Sequence, residues 1–133
     1  PLALGDPTVF GNFHTPTTLV NAVIAGLHSQ KYNGYCPSVG LPQARRAIAK
    51  YCSTATSPLG VDDVIIASGC SGALEIAIKG LLSPGDNMLL PRPGFALYQT
   101  IAEHYGSECK FYDLIAERDW EADLVQMEQH FIR

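Results

Sequence analysis

The sequence lacks the features that mark membrane-spanning and secreted proteins. Its apolar runs are interrupted well before the roughly 18 residues that a membrane span requires. The first residues, Pro1 to Gly5, carry neither the positive charge nor the apolar stretch of a signal peptide. These absences predict a soluble, intracellular protein, cytoplasmic in the first instance, and leave a mitochondrial location open.

Cysteine, histidine and positive charge are also sparse. The four cysteines lie far apart without a C-x-x-C pair, which argues against a zinc site and against a disulfide framework. The four histidines are too scattered to bind one ion together, so no metal site is expected. The 13 acidic residues outnumber the 9 basic ones, which leaves no basic footprint for nucleic acid or an anionic membrane.

The sequence does contain an alternation of helical and strand-like segments along its 133 residues. Apolar spacing and turn residues predict five helices. The first begins at Pro16 with Thr15 as N-cap, the next three span 43–51, 71–82 and 94–105, and the last begins at Asp123. Strands are predicted over 64–67, 87–90 and 108–112. Such alternation is typical of an α/β fold with a mainly parallel sheet. Three strands are few for such a sheet, so the predicted sheet is incomplete.

Apolar stripes indicate which helix faces are buried. The stripes comprise Leu19, Val20, Val23, Ile24 and Leu27 in the first helix, Leu74, Ala77, Ile78 and Leu81 in the third, Tyr98, Ile101, Ala102 and Tyr105 in the fourth, and Leu124, Met127 and Phe131 in the last. Asp123 and Gln126 have the spacing of a capping box.

A permissive turn joins the predicted strand 64–67 to the helix that follows. A helix start carries unpaired N–H groups and partial positive charge, so a strand-to-helix turn is suited to an anion. Gly69 allows the backbone to approach a ligand closely, and Ser68 and Ser71 add hydroxyl donors, so a phosphate would fit. The simpler alternative is that one of the two serines caps the helix and Gly69 makes the bend.

Four motifs occur in a fixed order: "GDPTVFGN", "KYNGYCPSVGLPQAR", "SGCSGAL" and "PRPGFALY". In this order and spacing they resemble the tyrosine aminotransferases, of the fold-type I family that uses pyridoxal 5'-phosphate (PLP). The resemblance covers the whole chain but only the front part of the family's sequence. It implies the front of a PLP-dependent transferase large domain, an incomplete three-layer α/β/α sandwich. Residues 1–42 would form the N-terminal arm, first helix and active-site loop, and 43–133 a partial cofactor-binding domain.

The resemblance also implies roles for individual residues. The cofactor phosphate falls on Gly69, Cys70 and Ser71, with Ser68 as a fourth contact. Phe95 matches the aromatic residue that stacks on the pyridine ring, although its place beside the Tyr98 stripe is equally that of a core residue.

Two further matches lie towards the amino terminus. Tyr35 matches a tyrosine whose hydroxyl reaches the cofactor phosphate of the neighbouring subunit, which implies a homodimer. The alternative is that Tyr35 is only an exposed aromatic residue in a loop. Gly5 aligns with a glycine near the substrate carboxylate, although a turn before Pro7 would explain it too. Arg45 fits the family pattern as a structural residue, as does Tyr98.

Transamination requires a lysine that binds the cofactor and moves a proton. The candidates are Lys31, Lys50, Lys79 and Lys110, and none lies in a context like the family's lysine motif. Lys79 is the nearest to the turn along the chain, but nine residues of helix place it about 13 Å away. The chain is therefore expected to hold no catalytic residue and to be inactive alone.

Two hypotheses from different classes follow. In the first, the chain is the front of a PLP-dependent tyrosine aminotransferase that moves an amino group from an aromatic amino acid to a 2-oxo acid such as 2-oxoglutarate, in amino-acid catabolism. In the second, it is a non-catalytic piece that binds phosphate or a partner. Within the first, alanine and kynurenine aminotransferases are alternatives.

Overall fold

A computed structural model of the chain describes residues 5–131. The helices are α1 (Thr17–Ser29), α2 (Pro42–Cys52), α3 (Gly69–Leu81), α4 (Ala96–His104) and α5 (Leu124–Gln129); the strands are β1 (Asn87–Arg92), β2 (Glu108–Ile115) and β3 (Glu121–Ala122). Two 3₁₀ turns occupy Val61–Asp63 and Ala116–Arg118. Within 5–131, every helix is too short or too polar to cross a bilayer.

The sheet has the order β1-β2-β3. β1 and β2 are parallel, with Asn87 opposite Glu108 and Arg92 opposite Asp113, and α4 provides the crossover between them. β3 pairs with the end of β2 in the antiparallel sense. The predicted α/β class is confirmed; β3 was not predicted because two residues carry no periodic signal.

The core lies where α3 and α4 pack over the sheet. Ile78 of α3 and Ile101 and Ala102 of α4 are its buried members, and Leu74 and Met88 pack against them at its margin. The predicted stripes of α3 and α4 therefore face this core. Leu81, the last residue of the α3 stripe, is instead 82% exposed.

The stripe of α1 has the predicted periodicity but is not buried by the described part of the chain. All five of its apolar residues are exposed, and α1 contains no buried residue. An open apolar groove of about 360 Å³ also lies between α3 and β1, lined by residues such as Leu74, Leu82 and Leu89. Contiguous exposed apolar surfaces of this kind are typical of sites that contact another molecule.

The predicted strand over 64–67 is wrong. Val64 is buried and extended, but 64–67 forms no ladder with another strand of the described chain. The Ile66 N–H donates to the Val39 carbonyl at 3.0 Å, a contact with the loop before α2. An apolar extended segment becomes a strand only when a neighbouring backbone pairs with it, and composition cannot supply that partner.

Three helix starts also differ from prediction. Pro16 is itself the N-cap of α1, and Thr15 does not cap it. The third helix begins at Gly69 instead of residue 71, and the fourth begins at Ala96 with Phe95 as N-cap. Each start is decided by local backbone geometry, which residue type limits only loosely.

A polar cluster connects α5 to the parallel strands. The Asp123 carboxylate accepts the Gln126 N–H at 3.0 Å, so Asp123 caps α5 as predicted. The return bond of a capping box is absent, because the Asp123 N–H donates to the Asp113 carbonyl. The Gln126 side chain accepts the Asp113 N–H, and the Asp113 carboxylate accepts Nε–H of Arg92 at 2.9 Å. Leu124, predicted on a buried stripe, is exposed, so α5 is held partly through these polar contacts.

We predict that Gly40→Ala destabilises the protein. Gly40 has φ +101°, and a Cβ there would lie 2.7 Å from Cβ of Ile66. The methyl group would strain the backbone and push Ile66 away, at a cost of about 1–3 kcal/mol. Urea unfolding monitors the loss.

Gly34→Ala is the matched control, because Gly34 lies in the same loop without a left-handed backbone, and an added methyl group would meet nothing within 4 Å. Equal stability of the two variants would contradict this account of the Gly40 contact.

We predict an acid-dependent loss of stability at Asp113. The hydrogen bond from Arg92 holds the pKa of the Asp113 carboxyl below its ordinary value of 3.8. A carboxyl whose pKa is lowered by folding stabilises the protein above the ordinary value, and this contribution disappears as the pH falls through the folded-state pKa.

In Asp113→Asn, the free energy of unfolding should therefore fall less steeply as the pH drops below about 4. The effect should be small, because the Arg92–Asp113 pair is exposed and screened by salt. Glu117→Gln, an exposed change without a described hydrogen bond, should leave the decline as it is. Identical acid profiles for Asp113→Asn and the unmodified protein would refute the assignment.

Candidate functional site

The turn 68–71 is the feature around which a site can form. Ser68 is the N-cap of α3, and Gly69 begins the helix with φ +70°, a conformation that glycine adopts without strain. Ser68, Gly69, Cys70 and Ser71 are all exposed. These four predicted site residues, which are consecutive in the sequence, therefore lie in one accessible turn.

Neither serine side chain makes a capping hydrogen bond to the helix. Ser68 makes no side-chain cap hydrogen bond, and the N–H groups of Gly69, Cys70 and Ser71 have no acceptor in the described chain. The first turn of α3 also contains no acidic residue. The capping alternative is therefore wrong, and three N–H groups and two hydroxyls remain able to bind an anion at the positive end of the helix.

Arg45 holds the segment that leads into this turn. The residue is only 9% exposed, and its Nε–H donates to the Val64 carbonyl at 2.7 Å. Its second guanidinium nitrogen pairs with Asp62 at 3.2 Å. The structural role predicted for Arg45 is confirmed: α2 fixes the backbone four residues before Ser68.

Phe95 lies at another place, after the carboxyl end of β1. The residue is 61% exposed, and its ring meets Tyr98 edge-on at 5.7 Å between centroids. It lines an open cavity of about 290 Å³ together with residues that include Arg92 and Phe111. A residue this exposed is not part of the hydrophobic core, which was the alternative role for Phe95. Its ring is accessible to a ligand.

The cavity also contains a residue that the sequence analysis missed. Arg92 lines it, pairs with Asp113 and lies over the Phe111 ring at 5.7 Å. The available signal was an arginine at the carboxyl end of a strand, where α/β proteins bind ligands.

Tyr35 and Gly5 make no contact with the turn. Tyr35 lies fully exposed in the loop between α1 and α2. Gly5 is exposed, with nothing within 4 Å of a Cβ placed on it. Beyond Gly5, the Asp6 carboxylate accepts hydrogen bonds from the N–H and hydroxyl of Thr8, which fold the backbone into a turn and lower the pKa of Asp6.

The lysines lie where surface charges are expected. Nζ of Lys79, in the last turn of α3, lies 5.1 Å from the Tyr105 ring centroid, at the opposite end of the helix from the turn. Lys110 pairs with Glu108 on β2. Lys31 and Lys50 are exposed. Among residues 5–131 no three His, Cys, Asp or Glu side chains cluster as metal ligands.

Comparison with known proteins identifies the family. The family model of aminotransferase classes I and II matches residues 1–131. The chain belongs to this aminotransferase family. It is 49% identical to the tyrosine aminotransferases of Mus musculus and Homo sapiens over 96% of its length.

Solved aminotransferases have the same fold. The tyrosine aminotransferase of Leishmania infantum superimposes on 98% of this chain with a TM-score of 0.92 and a sequence identity of 36%. The alanine aminotransferase of Pyrococcus furiosus superimposes on 97% of it with a TM-score of 0.88 and a sequence identity of 29%. The chain spans 28% of the length of the mouse and human proteins. It spans 34% of the Leishmania infantum structure and 33% of the Pyrococcus furiosus structure.

We predict that Arg45→Met destabilises the protein and disturbs the turn. The substitution keeps an apolar stem but leaves the buried Val64 carbonyl without its donor, which costs about 1–3 kcal/mol. Urea unfolding measures the cost, and hydrogen exchange of the N–H groups at 66–71 reports the loosened segment.

Arg46→Met is the control, because Arg46 is the exposed neighbour on the same helix. Equal effects of the two substitutions on stability and exchange would show that Arg45 does not hold this segment.

Proposed function

We propose that this chain forms the cofactor-binding front of a PLP-dependent aminotransferase of the tyrosine type. The reaction would move an amino group from an aromatic amino acid to a 2-oxo acid such as 2-oxoglutarate, in amino-acid catabolism. The observation that carries the proposal is the turn at the start of α3, with three unpaired N–H groups in a chain of the aminotransferase family.

The residues of the turn fit the phosphate of PLP. A phosphate carries charge and several acceptor oxygens, and the turn offers donors with no competing carboxylate in the first helical turn. The positive φ of Gly69 and the open space beside it admit a ligand close to the backbone. The N–H groups of Gly69, Cys70 and Ser71 would bind the phosphate, and the hydroxyls of Ser68 and Ser71 would donate to it.

Phe95 and Tyr35 would complete the cofactor contacts. The exposed ring of Phe95 would lie on one face of the pyridine ring, hold it flat and exclude water from that face. The exposed hydroxyl of Tyr35 would donate to the phosphate bound by a second subunit, which makes a homodimer the working form. Gly5 would lie by the substrate carboxylate.

PLP supplies an electron sink for the α-carbon of the amino acid. The residues of this chain would contribute binding and orientation, which hold the reacting atom in place for the proton transfer. None of the four lysines lies at the turn, so the chain by itself is assigned no proton transfer.

The tyrosine type is favoured over the alanine type by sequence. Identity reaches 49% with mouse and human tyrosine aminotransferases and 29% with the alanine aminotransferase of Pyrococcus furiosus. The non-catalytic alternative concerns these 133 residues alone, for which binding without turnover is the expected behaviour.

Ser71→Ala tests the phosphate contact. Loss of a hydroxyl that donates to a charged phosphate should weaken PLP binding roughly tenfold. The affinity is measured by equilibrium dialysis of PLP. Ser83→Ala, outside the turn, should bind PLP as the unmodified protein does.

Pyridoxal, which lacks the phosphate, separates this contact from contacts to the ring. Its affinity should be the same for Ser71→Ala and the unmodified protein. An equal loss for PLP and pyridoxal would place the effect elsewhere, and unchanged PLP binding would refute the role of Ser71.

A further inference from the structure

The loop between α1 and α2 contains an Asn33-Gly34 pair whose backbone makes no hydrogen bond in the described chain. Both residues are exposed. A Cβ at Gly34 would meet nothing within 4 Å, and the Gly34 N–H has no acceptor in the described chain. The backbone nitrogen of Gly34 is therefore accessible, unshielded by a side chain and not held in secondary structure.

These conditions favour attack of this nitrogen on the neighbouring side chain. The Gly34 nitrogen loses its proton to water and bonds to Cγ of Asn33, while the bond from Cγ to Nδ2 breaks and ammonia leaves. Water then opens the resulting five-membered imide at either carbonyl, which yields an aspartyl or isoaspartyl residue. The only co-reactant is water, and no atom is oxidised or reduced.

We propose that Asn33-Gly34 is a site of spontaneous deamidation that places a negative charge in the loop carrying Tyr35. The carboxyl group formed is ionised at neutral pH, since the ordinary pKa of such a group is about 4. Asparagine is among the thermolabile residues of proteins. The loop otherwise carries the single positive charge of Lys31, so the new carboxylate lowers its net charge from +1 to zero as the protein ages.

The other asparagines lack this combination. Asn21 lies within α1 and Asn87 within β1, where the backbone is held by regular hydrogen bonding. Asn12 lies in an exposed, irregular segment like Asn33, but the bulky side chain of Phe13 shields the attacking nitrogen. Asn12 is thus an internal control for exposure without glycine.

The position of the new charge gives it a consequence for cofactor binding. Positions 33 and 35 are two residues apart, at most about 7 Å along an extended chain. A carboxylate there would repel a phosphate that Tyr35 approaches. This consequence rests on the proposed function, whereas the deamidation does not.

Peptide mass spectrometry of the folded protein, kept in mildly alkaline buffer at physiological temperature, tests the modification. The peptide with Asn33 should gain the mass of an amide-to-acid conversion many times faster than the peptide with Asn12. Gly34→Ala should slow the gain several-fold, and its methyl group fits without strain. Equal rates at Asn12 and Asn33, no gain at Asn33, or no effect of Gly34→Ala would overturn the proposal.

Dialysis of PLP with N33D and N33Q tests the consequence separately. N33D should bind PLP more weakly than N33Q, which stays neutral, and the difference should shrink with added salt. Equal PLP binding by the two would overturn the effect on the cofactor. Failure of PLP to bind the unmodified protein would count against the proposed function. The peptide mass measurement at Asn33 would then still show whether the deamidation occurs.

Discussion

The buried guanidinium of Arg45 is the interaction on which the candidate site depends. A charge removed from water is costly unless hydrogen bonds and an opposite charge compensate it, and Arg45 has the Val64 carbonyl and Asp62 for this. These contacts join α2 to the segment that enters the turn 68–71. The loop before α2 supports the same segment from another side through Val39 and Ile66. The donors at the start of α3 therefore project from backbone that is held at two points.

The surfaces of the chain fall into two kinds. The turn 68–71 is polar and has unpaired donors, whereas the stripe of α1 and the groove between α3 and β1 are apolar and exposed. The chain spans 28% of the mouse and human tyrosine aminotransferases. Contiguous exposed apolar faces of this kind are typical of contact surfaces. Phe95 and Tyr35 are exposed as well.

The correct predictions came from local signals. The stripes of α3 and α4 follow helical spacing and face a common core, and the predicted strands 87–90 and 108–112 form the parallel pair of β1 and β2. The cap at Asp123 needs only a carboxylate and an N–H three residues later. The failures needed distant partners: segment 64–67 has no neighbouring strand in the described chain, Leu81 has no facing surface there, and β3 exists because it meets the end of β2.

The same distinction applies to the site. The sequence by itself determined that a glycine-containing turn would open a helix, because residue types set the backbone freedom and the periodicity on which that prediction depends. Only the tertiary structure decided that neither serine side chain makes a capping hydrogen bond to α3, that Phe95 is exposed, and that Arg45 holds the entry to the turn through a carbonyl 19 residues away. Hydrogen-bond partners and burial depend on which distant atoms meet, and this information arises when the chain packs.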